Sequence, residues 1–202
     1  MTVRRTQAER RAETERRVLD ATMAIIASHG VRAVTMAAVG EAAGYSRGIV
    51  NHQFGTRQAL MAAVAETVQS RFSPIAGGLT GRESVVAMTG GYLDSLTSRP
   101  QDARAFLRLW IAAIGGEEPE LRPVFQERDE RFRQGIARAV ERGRRDGSIH
   151  ADVEPAALAV AIAGQLRGIA LQFVFAPEAF ELEAVREEVV ALTDRALAPE
   201  RE

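Results

Sequence analysis

The 202-residue chain contains no cysteine and no lysine, and aromatic residues make up only 5% of it. Without cysteine there is no disulfide framework, no cysteine-ligated zinc and no thiol nucleophile. Long hydrophobic runs are also missing, because Gln165 and Arg167 separate the apolar stretches at 156–164 and 168–176. No apolar segment follows the basic start, MTVRRTQAERR. We therefore expect a cytoplasmic protein with neither a secretory signal nor a membrane partner.

Charge is distributed unevenly along the chain, although the formal net charge is −1. Residues 1–71 carry ten arginines and six acids, which gives 10 − 6 = +4. The remaining residues carry sixteen arginines and 21 acids, which gives −5. A basic end favours a polyanionic partner. Every basic side chain is an arginine fork, which can grip a phosphate or a guanine at two points.

Helical periodicity runs through almost the whole chain and strand signals are missing, so we predict an all-α fold. Thr35, Ser46 and Thr56 each precede a helical segment, where a hydroxyl can accept a hydrogen bond from a backbone N–H of the first turn. Ser73-Pro74 and the glycines at 77, 78 and 81 predict a hinge near 73–82. The predicted helices cover residues 8–29, 35–43, 46–54, 56–71, 83–98, 102–114, 118–145, 155–175 and 178–197.

Two short helices joined by a tight turn at Gly44 predict a helix-turn-helix, whose second helix enters the DNA major groove. Small apolar residues can form the seam between the two helices; they are Val39, Ala43, Ile49 and Val50. Polar residues of the second helix remain on its outer face; they are Arg47, Asn51, His52 and Gln53. Arginine can bind guanine with two hydrogen bonds, and asparagine or glutamine can do the same for adenine.

The segment TMAAVGEAAGYSRGIVNHQFGTRQAL, Thr35 to Leu60, closely resembles the DNA-binding signature of TetR-family transcriptional regulators. This resemblance covers about residues 8–72, and residues 120–177 resemble the C-terminal region of BetI-type regulators. It implies a three-helix DNA-binding domain, residues 1–55, which helix 4 joins to a helical-bundle domain for ligand binding and dimerisation, residues 56–202. The residues that match the signature are Thr35, Ala43, Gly44, Ser46, Gly48, Phe54 and Leu60, with conservative exchanges at Val39 and Arg57.

The resemblance also implies roles for individual residues. Thr35 and Arg57 are expected to contact phosphates, and Arg47 a base or a phosphate. Gly48 is expected to allow a close approach between helices, and Phe54 to be buried. The full predicted DNA-binding set is Thr35, Tyr45, Ser46, Arg47, Asn51, His52, Gln53, Thr56 and Arg57.

Two positions depart from the family pattern. Asn51 stands where the family usually has tyrosine, and Gln53 where it often has histidine, so the usual tyrosine contact to phosphate does not transfer. Asn51 can instead meet a base edge. The arginines near the start either contact the DNA backbone or minor groove, or form a solvated face with the neighbouring glutamates; they are Arg4, Arg5, Arg10 and Arg11.

Polar groups on otherwise apolar segments of the larger domain are candidates for a small-molecule site. Gln165 and Arg167 are two of these groups, and they either satisfy each other or face a partner chain. Core or interface packing is the alternative reading for every candidate. The predicted effector-binding set is Met88, Tyr92, Phe106, Trp110 and Gln165.

The helices at 155–175 and 178–197 are the predicted dimer contact, since the first is apolar around too much of its circumference for a helix with one wet side. We expect a homodimer that binds a pseudo-palindromic DNA operator, represses transcription and is released by a small-molecule effector. No catalytic constellation, metal site or cofactor is expected. Alternatives are a helical small-molecule sensor or an enzyme without DNA binding, and, within the family, an activator.

Overall fold

A computed structural model describes residues 6–70 and 78–199, except for the side chains of 68–70. In these ranges the chain forms nine α-helices and no strand, which confirms the all-α prediction. Arg4, Arg5 and residues 73–77 of the predicted hinge lie outside the described residues. The helices are α1 (Gln7–His29), α2 (Met36–Ala43), α3 (Arg47–Phe54), α4 (Arg57–Ser70), α5 (Gly81–Ser98), α6 (Pro100–Gly115), α7 (Arg122–Asp146), α8 (Pro155–Phe175) and α9 (Leu182–Leu197), with 3-10 helices at Val31–Ala33 and Pro119–Leu121.

Side-chain caps determine where the N-terminal helices begin. The Thr35 hydroxyl accepts from the amide of Ala38 at 3.0 Å, and that of Ser46 from Ile49 at 3.3 Å. Thr56 caps α4 in the same way, at 3.1 Å from the amide nitrogen of Ala59. Each of these bonds satisfies one of the backbone donors that the first turn of a helix leaves free. All three caps are therefore in place where the sequence predicted them.

Two later helices begin four residues after their predicted starts. Helix α7 begins at Arg122 rather than at 118, because a 3-10 turn at Pro119–Leu121 comes first. Glu118 adopts a non-helical backbone, with φ −132° and ψ 66°. Helix α9 begins at Leu182 rather than at 178, since the chain after Pro177 first passes through a turn. Pro119 disfavours a helical backbone at Glu118, the residue before it, so α7 does not begin there.

The chain divides into two compact units. The first comprises Met1–Arg71 and Arg104–Phe125, and the second Phe72–Ala103 and Gln126–Glu202. Helix α4 contacts α1 inside the first unit, and the domain boundary at residue 55 stays a prediction. Residues that are at most 1% exposed form the core of the first unit; they include Val18, Met23, Ile26, Val39, Val50, Leu60, Met61 and Val64.

In the second unit α5 packs mainly against α9. Arg82 on α5 donates to both carboxylate oxygens of Asp194 on α9, from Nε at 2.7 Å and from Nη2 at 2.6 Å. The start of α5 lies so close to α7 that a Cβ atom on Gly81 would be 2.0 Å from the backbone nitrogen of Gly143. Only a residue without a side chain fits there.

Helix α8 leaves much of its apolar surface uncovered in the single chain. In the described part of the protein it alone is long and apolar enough to cross a membrane by length and composition, and 22% of that window is buried. Val160 is 58% exposed and Phe175 92% exposed. A helix that is apolar on all sides needs cover beyond what its own chain provides.

We predict that Gly81→Ala lowers the unfolding temperature, because the new methyl group forces the backbones of α5 and α7 apart. Overpacking of this kind costs about 1–3 kcal/mol, or roughly 2–4 °C for each kcal/mol in a chain of this size. Gly91→Ala is the matched control on the same helix, since a Cβ atom there meets nothing within 4 Å. Thermal unfolding followed by circular dichroism should show no loss for Gly91→Ala. An unchanged midpoint for Gly81→Ala would refute the close contact.

Candidate nucleic-acid interface

The contact between α2 and α3 orients the predicted recognition helix. Val39 on α2 and Val50 on α3 are both 0% exposed. Gly40 is buried beside them, and a Cβ atom there would lie 2.9 Å from the carbonyl oxygen of Tyr45. Gly44 makes the turn in the left-handed conformation, with φ +75°, which glycine adopts without strain. The backbone of the turn therefore lies directly against α2, and α3 is oriented by it.

The outer face of α3 is exposed and mostly polar. Arg47, Asn51 and His52 are exposed, as the sequence predicts. Ile49 is 43% exposed and so does not belong to the seam, where it was predicted. Val50 is the one residue of α3 that is fully buried. An isoleucine on this face can contact the methyl group of thymine.

Gly48 and Phe54 differ from their predicted roles. A Cβ atom on Gly48 would meet only the Ser46 hydroxyl oxygen, at 3.7 Å, so this glycine allows no close approach between helices of the chain. That function belongs to Gly40, which the sequence analysis did not single out. Phe54 is half-buried rather than fully buried. Both corrections follow from the short length of α3, which contacts its neighbours along one narrow stripe.

The hydroxyl groups of the predicted capping residues can still donate a hydrogen bond to another molecule. Thr35, Ser46 and Thr56 are all exposed. Each hydroxyl oxygen accepts a hydrogen bond from a backbone amide, while its own hydrogen is left to rotate. A phosphate placed at one of these helix starts would meet both the free amides and the hydroxyl.

Helix α1 holds two of the predicted DNA-binding residues. The Gln53 amide donates to a carboxylate oxygen of Glu15 at 3.3 Å, and Gln53 is half-buried. The guanidinium of Arg17 lies over the ring of Tyr45, with 5.1 Å from its central carbon to the ring centroid. The Tyr45 hydroxyl is 3.4 Å from that of Thr14. Through these contacts Tyr45, in the turn, and Gln53, on α3, both bind side chains of α1.

Arg57 donates four hydrogen bonds inside the first unit. A phosphate contact would have to break some of these bonds. Its Nε donates to the carbonyl of Val34 and its Nη2 to that of Val31, both at 2.9 Å. Its Nη1 donates to Glu118 Oε2 at 2.9 Å, and Nη2 bonds the second oxygen of the same carboxylate. The hydrogen bond with Glu118 is the main reason that the pKa of Arg57 is raised. Sequence spacing did not reveal this pair, because 61 residues separate its members.

The predicted effector-binding residues are divided between the two compact units. Phe106 and Trp110 belong to the first unit, where Phe106 packs edge-on against Phe125 with centroids 5.5 Å apart. Met88, Tyr92 and Gln165 belong to the second unit. Gln165 is exposed in the single chain, so within the described residues it does not line an interior site.

Arg167 has a partner that the sequence analysis did not suggest. It binds Asp129 on α7, with Nη2 and Oδ1 2.9 Å apart. Arg128 binds the same Oδ1 atom at 3.0 Å. Burial is the main cause of the raised pKa of Tyr92, and the two arginines oppose it. Sequence reasoning missed Arg128 and Asp129, whose surroundings in α7 are charged and typical of a solvated helix face.

Metal binding finds no support among the residues that the structure describes. They contain no group of three histidine, aspartate or glutamate side chains that could hold an ion.

We predict that Glu118→Ala lowers the free energy of unfolding by about 1–3 kcal/mol, because it leaves the donors of half-buried Arg57 without their carboxylate. The neighbouring Glu117→Ala is the control, since Glu117 pairs with Arg32, whose side chain is 84% exposed. Exposed pairs contribute about 0–1 kcal/mol. Urea unfolding of both variants measures the difference. Equal stability of the two would exclude a structural role for the buried pair.

Comparisons with known proteins agree with this architecture. The sequence model of the bacterial regulatory proteins of the tetR family matches residues 18–64. That of the BetI-type transcriptional repressor C-terminal domain matches residues 81–198. No curated protein sequence matches the chain.

Several solved structures share the fold at low sequence identity. One is a TetR transcription regulator from Haloarcula marismortui, with TM-score 0.77 and 18% identity over 93% of this chain and 99% of that one. A second is NalD, the secondary repressor of the MexAB-OprM multidrug efflux pump in Pseudomonas aeruginosa, with TM-score 0.72 and 17% identity over 94% and 98%. A third is a transcriptional-regulator structure from Saccharomonospora viridis in complex with choline, with TM-score 0.80 and 17% identity over 94% and 100%.

The two family matches lie in the expected order, and the second alone spans more than half of the chain. Regulators of this family bind DNA and are not enzymes. The chain therefore belongs to the TetR family of transcriptional regulators.

Proposed function

We propose that the protein is a homodimeric repressor that binds a pseudo-palindromic DNA operator and leaves it when a small molecule binds the second unit. The observation that carries this proposal is the exposed outer face of α3, where Arg47, Asn51 and His52 project from a helix held in place by buried Val50. The basic N-terminal third of the sequence favours a DNA partner on electrostatic grounds.

We assign DNA contacts to the exposed residues of the predicted set and of α3. Arg47 and Asn51 are assigned to base edges, and Ile49 to a thymine methyl group. The exposed caps Thr35, Ser46 and Thr56 are assigned to phosphates, and His52 to either. Tyr45, Gln53 and Arg57 are left out of direct contact, because internal partners hold their polar groups.

A second copy of the chain is the proposed cover for α8 and α9. Val160, Phe175 and Leu192 are 58%, 92% and 46% exposed. Large apolar side chains at this exposure favour an interface. A two-fold dimer would also present two copies of α3, as recognition of two half-sites one helical turn apart requires. A lipid partner is less favoured, because Gln165 and Arg167 interrupt the middle of α8.

Effector control is the least direct part of the proposal. A ligand can shift DNA affinity only through different affinities for two states of the protein, and about 1–3 kcal/mol suffices for a 5- to 150-fold change. Among proteins of similar fold, one is a repressor of an efflux pump and another holds choline, which supports both repression and small-molecule binding here. We propose a cytoplasmic location, where operator DNA is found.

We expect Arg47→Ala to weaken binding to the operator by about 5- to 150-fold, which corresponds to roughly 1–3 kcal/mol for a bidentate base contact. The operator is first selected from genomic fragments, and affinity is then measured by fluorescence anisotropy at several salt concentrations. Arg32→Ala is the control, since Arg32 is an exposed arginine of the same unit outside α3. Equal affinities for both variants and the wild type would overturn the role of α3. Failure to recover any palindrome would favour a sensor without DNA binding.

Val160→Glu is expected to convert the dimer to monomers, because it places a carboxylate in the centre of an apolar interface. Sedimentation equilibrium measures the association state, and operator affinity should fall with it. Ile111→Glu changes an equally exposed apolar residue, 51% exposed, on α6, and should leave the protein dimeric. Dimers of unchanged affinity after Val160→Glu would place the interface elsewhere.

A further inference from the structure

Helix α1 begins well before the part of it that packs in the core. Val18 is its first buried residue, and every residue from 6 to 12 is exposed. A capping box starts the helix: the Thr6 hydroxyl accepts from the Glu9 amide at 3.2 Å, and the Glu9 carboxylate accepts from the Thr6 amide at 2.7 Å. These two bonds satisfy backbone donors that a helix start leaves free. Residues 7–12, the α1 extension, are therefore helical although none of their side chains is buried.

Two arginines of the α1 extension lie on the side of α1 that contacts the helix-turn-helix. Glu15 accepts from the Gln53 amide of α3 at 3.3 Å, and Thr14 contacts the turn before α3. Residues four apart lie on one face of a helix, so Arg11 precedes Glu15 by one turn and Arg10 precedes Thr14 by one turn. The arginines thus continue, beyond the core, the face of α1 that contacts the turn and α3.

The guanidinium groups of Arg10 and Arg11 are available to another molecule. Both residues are exposed, and neither guanidinium group has a hydrogen bond or an ion pair with any residue that the structure describes. Glu15, four residues after Arg11, binds Gln53 instead, and Glu9 belongs to the capping box. These two glutamates do not hold the arginines, so each fork can bind a phosphate at two points.

The phosphate backbone of DNA is the partner that this position favours. A helix with its side chains is about 10–12 Å across, and the major groove is about 12 Å wide. When α3 occupies the groove, there is no room in it for a second helix. Helix α1 contacts both the turn before α3 and the last turn of α3, so it lies beside the recognition helix. Side chains in that position meet the backbone that borders the groove.

We propose that Arg10 and Arg11 bind phosphates of the operator beside the groove that α3 enters, and that the capping box at Thr6 holds them on a folded helix for this contact. The inference rests on the proposed function, because it requires α3 to enter the groove. Phosphate contacts increase affinity and fix the position of the protein on the duplex without reading its sequence.

The salt dependence of operator affinity tests the phosphate contacts. Removing one arginine from each chain of a dimer removes two contacts, which should lower the slope of log affinity against log salt by about 2. Arg10→Ala and Arg11→Ala should each weaken binding of the genomically selected operator by roughly 30- to 100-fold at 0.1 M salt, and their affinities should approach that of the wild type near 1 M. Alanine favours helix, so both variants keep the α1 extension.

Arg16→Ala is the matched control. Arg16 is an exposed arginine of the same helix, but it lies about 120–140° around the helix axis from Arg10 and Arg11. Its removal changes the charge equally and so measures long-range attraction, which 0.1 M salt screens over about 10 Å. The slope for Arg16→Ala should equal that of the wild type. Equal slopes for the wild type and all three variants, or an equal reduction in all three, would overturn the proposal.

Methylphosphonate substitutions in the operator identify the contacted phosphates, because each removes the charge of one phosphate. At least one substitution should weaken binding of the wild type and leave binding of Arg11→Ala unchanged, as expected when two changes remove the same contact. A scan that finds no such phosphate would contradict the contact. Coupling to a base-pair change instead would place the arginine in a groove and overturn the phosphate assignment.

The capping box has its own pair of variants. Thr6→Ala should weaken operator binding by about 2- to 10-fold, because loss of the cap lets the first turn of α1 fray. Thr6→Ser keeps a hydroxyl at the cap and should bind as the wild type does. Equal affinity of Thr6→Ala and the wild type would show that the cap has no part in the contact.

This inference and the proposed function fail in different ways. If Arg47→Ala weakens operator binding while the Arg10 and Arg11 variants behave like Arg16→Ala, the proposed function stands and the phosphate contacts are refuted. If the wild type recovers no operator, or Arg47→Ala binds it as tightly as the wild type does, the proposed function is refuted and the phosphate contacts are refuted with it.

Discussion

Close packing between α2 and α3 is the constraint on which the DNA-facing side of the protein depends. Each of these helices has eight residues, which is too short to be stable in isolation. Helix α3 exists because Val50 is buried, Ser46 caps it and the turn backbone lies against Gly40. These same contacts determine which side chains face outward. The polar outer face is therefore a consequence of a small apolar seam.

The arginines of the first unit contribute equally to its charge, but they differ in whether internal partners hold their guanidinium groups. Arg17 stacks on Tyr45, Arg32 pairs with Glu117, and Arg57 is bound by Glu118 and two carbonyl groups. Arg47 projects from the exposed face of α3. Net charge thus attracts a polyanion over long distances, while the internal pairs decide which guanidinium groups are available for specific contacts. The Arg57 pair also connects the start of α4 to residues 104–125 of the same unit.

Ion pairs of the second unit fall into two kinds. Arg82 pairs with Asp194, and Arg186 pairs with Asp94 and Glu183, near the surface, where water screens the charges. Arg128 and Arg167, which both bind Asp129, are more deeply buried.

Local sequence signals determined the helices, their N-terminal caps and the helix-turn-helix, because periodicity, hydroxyl caps and Gly44 act over a few residues. They also identified Arg47, Asn51 and His52 as outward-facing. Only the tertiary structure decided that Ile49 is exposed, that Gly40 is the close-contact glycine, and that Gln53 and Arg57 are bound to Glu15 and Glu118. These outcomes depend on partners 38 and 61 residues away, or on a neighbouring backbone. The cluster of Arg128, Asp129 and Arg167 is of the same kind: helical spacing places each residue on its helix, but which charges meet depends on how the helices pack.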